Sequence, residues 1–384
     1  MKKAQETLRK EGITKVAVLH VAVELSDSKW KLAFSDGSKV RLVAIDYGNL
    51  RQFREAIDKT KKRFGLSGRV QVVSCYEAGR YGFWLHRCLT SHGIKNLVVD
   101  SASIEVNRRK RRAKTDRIDA GQLLRMLMRY QGGEKQVWAV VRVPTVEQED
   151  ARHLHRELEV LKKERNRFRS RIQGLLMQHG IRIDKPDRRH FLTTLEILRT
   201  WDGQRLPAEL KTRLTREYER LKIAAEQIRT LRREQAQRVK KADSPALQQI
   251  ARLMMLRGLG PKSSWVFVNE FFGWRTFDNG KQVGASAGLT PTPYNSGKSR
   301  HEQGISKAGN RRIRIMSIEI AWGWLRFQPQ SKLSRWFNER FAHGGSRMRR
   351  IGIVAVARRL LVALWRYLET GVVPEGACLK KEAA

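Results

Sequence analysis

The 384 residues carry 78 Lys and Arg against 38 Asp and Glu, a formal charge of +40. A chain so charged repels itself unless a polyanion binds it, and counterion release from phosphates is the compensating term that such a surplus implies. Ten Trp and a hydrophobic fraction of 41% supply real cores, unlike a ribosomal or chromatin-type packaging protein, and no apolar run is long enough for a transmembrane helix.

In chain order, the β-branched run Val16 to Val23 predicts a strand, and Trp30 to Phe34 and Lys39 to Ile45 complete an antiparallel meander. Leu50, Phe53, Ala56 and Ile57 recur at helical spacing, so Asn49 to Phe64 is a helix. A fourth strand from Val70 to Ser74, a helix from Phe83 to Ser91 and a strand from Asn96 to Val99 follow. The order βββαβαβ is that of an α/β RNase H-like domain, assigned to residues 1–130. The pattern lapses between Gln131 and Pro144 around a Gly-Gly pair, which reads as a linker.

Residues 145–243 read as a helical coiled-coil region. Leu154, Leu158, Leu161, Phe168, Ile172 and Leu175 form one heptad seam, with Arg165 at the missing position. Leu210, Leu214, Tyr218, Leu221, Ala225 and Ile228 form a second. Asp184 to Gly203 separates them, so they fold back as an antiparallel hairpin or pair with another chain. Residues 245–371 are mostly α, with helices at Ala246–Leu256, Ser263–Phe272, Asn279–Ala287, Asn310–Phe327, Lys332–Phe341 and Met348–Leu368. The tail, 372–384, carries no visible signal.

Acidic residues in so basic a protein point to chemistry, because a carboxylate beside a polyanion is a cost unless a metal ion offsets it. Glu24 ends the first strand, Glu77 follows the fourth, and Asp116 and Asp119 open a helix in KTDRIDA. At a three-residue spacing the two Asp share nearly one helix face. Four such carboxylates can hold Mg²⁺, and two ions can clamp the attacking and leaving oxygens of a phosphodiester. Taken singly, Asp116 and Asp119 are also ordinary N-terminal helix charges. Their setting favours the first reading: Arg108, Arg109, Lys110, Arg111, Arg112, Lys114 and Arg117 surround them as a nucleic-acid arm or a solvated face.

Two further stretches stand out. LRGLGPKSS resembles a helix-hairpin-helix turn, in which Gly258 and Gly260 let backbone N–H groups approach a phosphate; a tight αα-turn needs the same glycines. Gly288 to Arg314 is an exposed loop holding Ser296, Ser299 and Ser306 among Lys298, Arg300, Lys307, Arg311, Arg312 and Arg314. A serine there can attack a phosphodiester with guanidinium stabilisation, or simply contact phosphate. Cys75, Cys88 and Cys378 fit neither a disulfide framework nor a zinc knuckle. With a charged N-terminus that does not read as a signal peptide, they predict a reducing cytoplasm, and the nucleic-acid reading adds nucleoid association as the expected place within it.

In order, CYEAG (75–79), KTDRIDA (114–120), GLGP (258–261), GLTP followed by Ser296-Gly297, GISKAGN (304–310) and AVARRLL (355–361) resemble the RNA-guided, bridge-RNA transposases of bacterial insertion sequences. The resemblance runs from Val18 to about Thr370. It implies a RuvC-like DEDD domain holding Mg²⁺ on Glu24, Glu77, Asp116 and Asp119, and a C-terminal transposase domain whose nucleophile is Ser296. It implies a noncoding guide RNA, donor and target DNA, a covalent phosphoserine intermediate and a homo-oligomer, dimer or tetramer, in which one protomer's metal site completes another's serine site. The family has Asp in a G-[IL]-D-[VL]-S strand end where this chain reads VAVELS; glutamate also binds Mg²⁺ but shifts the carboxylate by about one bond length. Asp27, a substitute, falls beyond the strand end. A site-specific DNA invertase of the same superfamily, a RuvC-like junction nuclease and a non-catalytic nucleic-acid-binding scaffold are the alternatives.

Overall fold

The computed structural model describes residues 17–104, 116–188, 190–296 and 299–380, which fall into two compact units, Met1–Val143 and Pro144–Ala384.

The N-terminal unit is built on a five-stranded mixed sheet: β1 (Val18–Glu24), β2 (Lys29–Ser35), β3 (Val40–Asp46), β4 (Gln71–Glu77) and β5 (Lys95–Val99). Its order is β3-β2-β1-β4-β5, antiparallel from β1 through β3 and parallel from β1 through β5. β1 is central and covered on both faces, so it reads as a near-continuous apolar run. Leu19, Val21 and Val23 point into one cluster with Phe53 and Ile57 of α1 (Leu50–Phe64) and Leu85 and Leu89 of α2 (Trp84–Ser91). Ala22, with Ala33, Val73 and Cys75, faces the other way, where small side chains admit the close approach of α3 (Asp116–Gln131) through Ala120, Leu123, Leu124 and Leu127. Asn49 caps α1 by accepting from the Gln52 N–H, and Gly65 ends it in the left-handed region.

The expected linker is part of this unit. Val137 and Trp138 are buried, Val140 bridges Val99, and the Val141 N–H donates to the Val98 carbonyl, so the chain leaves α3 as an added edge segment on β5. The Gly-Gly pair is only the turn that sends it there.

The C-terminal unit contains both the helical pair and the region after it. Its helices are α4 (Val146–Asp150), α5 (His153–Met177), α6 (Phe191–Ile197), α7 (Ala208–Lys241), α8 (Pro245–Met254), α9 (Pro261–Phe267), α10 (Gly280–Ser286), α11 (Arg311–Phe327), α12 (Lys332–Phe337) and α13 (Ser346–Thr370). α5 and α7 pack as an antiparallel pair within one chain: Ile172 and Leu176 meet Leu214, Tyr218 and Leu221 at one end, and Leu158 and Leu161 meet Ile228 at the other. The buried stripe is offset from the predicted seams at Leu176 and Ala224, where Leu175 and Ala225 were expected. π-helical turns, Val268–Phe272 after α9 and Asn338–Ala342 after α12, interrupt what the sequence reads as uniform helices. The largest core packs α8, α9, α11 and α13 around Phe267, Phe271, Trp324 and Leu360.

The tail is not featureless. Leu379 bridges Leu256, the Arg257 N–H donates to the Cys378 carbonyl, and Lys380 Nζ donates to the carbonyls of Met254 and Leu259 at 2.6 and 2.8 Å. It docks on the GLGP turn, a non-local partner that local periodicity does not carry.

Candidate nucleic-acid-processing sites

In the N-terminal unit, the register Val23↔Tyr76 makes Glu24 and Glu77 the next residues at the carboxyl ends of two adjacent parallel strands. Strand alternation puts Glu24 on the face of Ala22 and Glu77 on that of Cys75, the face covered by α3. On that face the Cys75 thiol is raised far above its ordinary value, by burial and then by the Glu77 carboxylate. Both glutamates are half-buried. Asp116 and Asp119 lie in the first turn of α3, four and one residues before the buried Ala120; their side chains lie outside the described residues. Among the described residues no group of three or more His, Cys, Asp or Glu could hold a metal ion. The basic arm Arg108, Arg109, Lys110, Arg111, Arg112 and Lys114 also lies outside them.

Asp27 is committed elsewhere. It pairs with Arg80 and accepts from Tyr81 Oη at 2.7 Å, and the bonds from Tyr81 and Arg80 hold its carboxyl below the usual range. It therefore ties the β1–β2 turn to the loop after β4.

In the C-terminal unit, the predicted loop is a β-hairpin. β6 (Pro291–Ser296) pairs with β7 (Ser299–Ile305), with Ser296 opposite Ser299 at the tip. The side chains of Ser296, Ser299 and Arg300, and all of Lys298, lie outside the described residues. The base of the hairpin is clamped. The Ser306 N–H donates to Thr290 O at 2.8 Å, Lys307 N–H to Gly288 O at 3.1 Å, and Asn310 N–H to Ser286 O at 2.9 Å. Only glycine fits two positions there: a Cβ would come 2.2 Å from Ala308 O at Gly288 and 2.3 Å from Ser286 O at Gly309, and both have positive φ. Lys307, at φ 56, shares the tight geometry. Asn310 then caps α11 by accepting from the N–H groups of Arg312 and Ile313.

Behind this base lies a buried ionic node that sequence reasoning missed. Glu270, in the first π-helical turn and 3% exposed, accepts from Arg156 Nε at 2.7 Å and Nη2 at 2.9 Å, and lies 3.0 Å from His155 Nε2. Burial alone would raise its carboxyl, but the bonds from Arg156 and His155 outweigh that and hold it at about 2. Its carbonyl accepts from Asn310 Nδ2 at 3.2 Å, and Arg312 pairs with Glu159 of α5. One node thus joins α5, the π turn and the start of α11. An acidic residue inside the apolar run SSWVFVNEFF was the available signal.

Of the remaining expected phosphate contacts, Lys307 and Arg311 are exposed, whereas Arg312 is engaged by Glu159. Gly258 and Gly260 lie in the α8–α9 turn. The Gly260 N–H donates to Ser263 Oγ at 3.2 Å, and a Cβ at Gly258 would come 3.3 Å from Phe327 Cβ.

Residues 250–334, spanning this turn, Glu270 and the hairpin, match the family model of the IS116/IS110/IS902 transposases. A Sinorhizobium fredii protein described as transposase y4rJ is 44% identical over 380 residues, covering 95% of each chain. The transposase for insertion sequence element IS1328 of Yersinia enterocolitica is 25% identical over 232 residues, covering 60% of this chain and 66% of that one. The chain belongs to the IS116/IS110/IS902 family of insertion-sequence transposases, enzymes that transfer DNA strands. No helix among the described residues is long and apolar enough to cross a membrane.

Proposed function

We propose that the protein is an RNA-guided recombinase of an insertion sequence, which cuts and exchanges DNA strands through a phosphoserine intermediate at Ser296. The observation that carries this reading is the hairpin: Ser296 ends a strand whose base is fixed by hydrogen bonds and by two glycine cradles. An arm so held carries a nucleophile to a bound strand with little conformational entropy left to lose. The Ser296 hydroxyl attacks phosphorus, a phosphorus–oxygen bond to deoxyribose breaks, and the freed sugar hydroxyl takes up a proton as the serine loses one. Reversal with a different sugar hydroxyl rejoins the strand and frees the serine.

The N-terminal unit is read as an RNase H-like, RuvC-type domain, a reading supported by its strand order and by the acidic ends of β1 and β4. Glu24 and Glu77, with Asp116 and Asp119, supply only hard oxygen donors, which suit Mg²⁺. Bound there, Mg²⁺ would stabilise charge developing on the phosphodiester. The guide RNA and the oligomer follow from the family resemblance, and the charge of +40 supports binding of RNA together with DNA.

The test is a trapped intermediate. Protein with its copurifying RNA is incubated with nicked target DNA and denatured, and DNA migrating with protein but released by protease is quantified. Ser296→Ala is expected to eliminate that species, and Ser299→Ala and Ser306→Ala only to weaken it. An adduct that survives Ser296→Ala and vanishes with Ser299→Ala moves the nucleophile across the turn. Recombination without any adduct overturns the serine mechanism, and recombination by RNA-free protein overturns guidance.

A further inference from the structure

The C-terminal unit holds a groove of about 2220 Å³ that runs from the base of the serine hairpin, at Pro291, Gly304 and Ile305, along the outer face of α13. α13 presents Arg347, Arg350, Arg358 and Arg366 to it. From Arg347 to Arg366 the helix rises by about 28 Å at 1.5 Å per residue. None of the four has an ion-pair partner among the described residues. Lys281 of α10 and Arg340 add charge on the facing walls. Among the described residues the only carboxylate bordering the groove is Glu375, and Lys332 Nζ already holds it at 2.7 Å.

The floor has a different character. Ile351, Val354 and Val362 line it, and the Trp336 ring lies beneath the Arg359 guanidinium at 3.7 Å. Arginine walls over an aliphatic and aromatic floor match a ligand with phosphates on its edges and bare faces toward the floor. Duplex nucleic acid keeps its bases stacked inside and offers only phosphates, whereas a single strand offers both. A second copy of this chain is a poor occupant, because its own charge is +40 and its surface would meet arginine with arginine.

We propose that this groove binds a single DNA strand and leads it to the hairpin that carries Ser296. The strand is DNA because the groove is continuous with that hairpin, and this assignment rests on the reading that Ser296 attacks DNA. Phosphates pair with the α13 arginines, and one base stacks in the neighbourhood of Trp336. None of these residues is catalytic; they position the strand.

The experiment is a salt titration of full-length protein with a fluorescent single-stranded oligo(dT), read by anisotropy. Two lost phosphate contacts should lower the log-log salt slope by about 1.4, at roughly 0.7 per contact on a single strand. Arg347→Gln with Arg350→Gln is expected to do so, and to weaken binding more than Lys62→Gln with Arg63→Gln, an equal loss of charge on exposed positions of the other unit. Trp336→Leu should weaken binding at least about fivefold with the slope unchanged. Melting curves check that each variant is folded. Equal effects of the two charge pairs overturn the proposal, as does weaker binding of oligo(U) with oligo(dT) unaffected. A change in oligomeric state with unchanged DNA binding would give the groove to a second copy, and also overturns it. Parent protein that binds oligo(dT) in the groove yet recombines without any covalent adduct removes the serine mechanism and leaves the groove standing, whereas an adduct with no groove-dependent binding removes the groove alone.

Discussion

The carboxylate ends of the N-terminal sheet and the serine hairpin of the C-terminal unit are positioned by different physics. Glu24 and Glu77 are set by strand alternation, a local rule, and by the regular parallel register of β1 on β4, backbone pairing that does not depend on their side chains. The hairpin is held at its base by irregular contacts of particular residues: the glycine cradles, the Asn310 side chain that caps α11 and reaches the Glu270 carbonyl, and the Glu270 node reaching back to α5. A site on a regular sheet can lose a functional group without losing its frame. At the hairpin, the groups that hold the frame and those that stabilise the fold are the same.

The largest expected effect tests the first half of that contrast. Glu77→Gln removes a charge from a strand end and leaves the register alone, so strand cleavage should fall at least about a hundredfold, with the melting temperature nearly unchanged. Glu24→Asp should keep or raise activity. A Glu77→Gln protein that melts early, or an inactive Glu24→Asp, would break the distinction.

Next is Glu270→Ala, which leaves Arg156 and His155 without their buried partner and should cost about 3 to 5 kcal/mol, measured by urea unfolding. The same group sets an acid limb. Its folded value of about 2 lies below the ordinary 4.5, so its contribution is complete above about pH 4.5 and is lost as pH falls toward 2. Glu270→Gln should flatten that limb, and an unchanged acid profile would assign acid sensitivity to other carboxylates.

The smallest effect is the most local. Gly309→Ala forces a Cβ toward Ser286 O at a positive φ, a cost of about 2 kcal/mol in overpacking and backbone strain. Adduct formation should fall together with stability. If stability falls alone, the base of the hairpin does not govern its tip.

Much of this architecture was legible in the sequence. The five strands of the N-terminal sheet and the longer helices lie within a few residues of where apolar periodicity put them, because each buries one regular face; the short α4 and α6, the latter inside the stretch read as a separator, were not foreseen. The legible part of the candidate site was its acidic strand ends, where alternation and an acidic residue in a basic chain coincide. Three features were not legible, each for want of a local signal. Val137 to Val141 looked like a linker because its pairing partner is β5, about 40 residues back. Residues 378–380 looked idle because they add to a turn more than 110 residues away, as with Lys380 and Leu259. Ser296 read as loop because its two prolines mask a short hairpin, whose irregular step falls between Pro291 and Pro293.

The Glu270 node sits at one end of a long rigid body. α5 runs 25 residues, about 37 Å, from the node to Met177, and α7 stiffens it along its length. Mechanically this is a lever with its fulcrum at Arg156 and Glu270: a tilt of about 5° there sweeps the far end through roughly 3 Å.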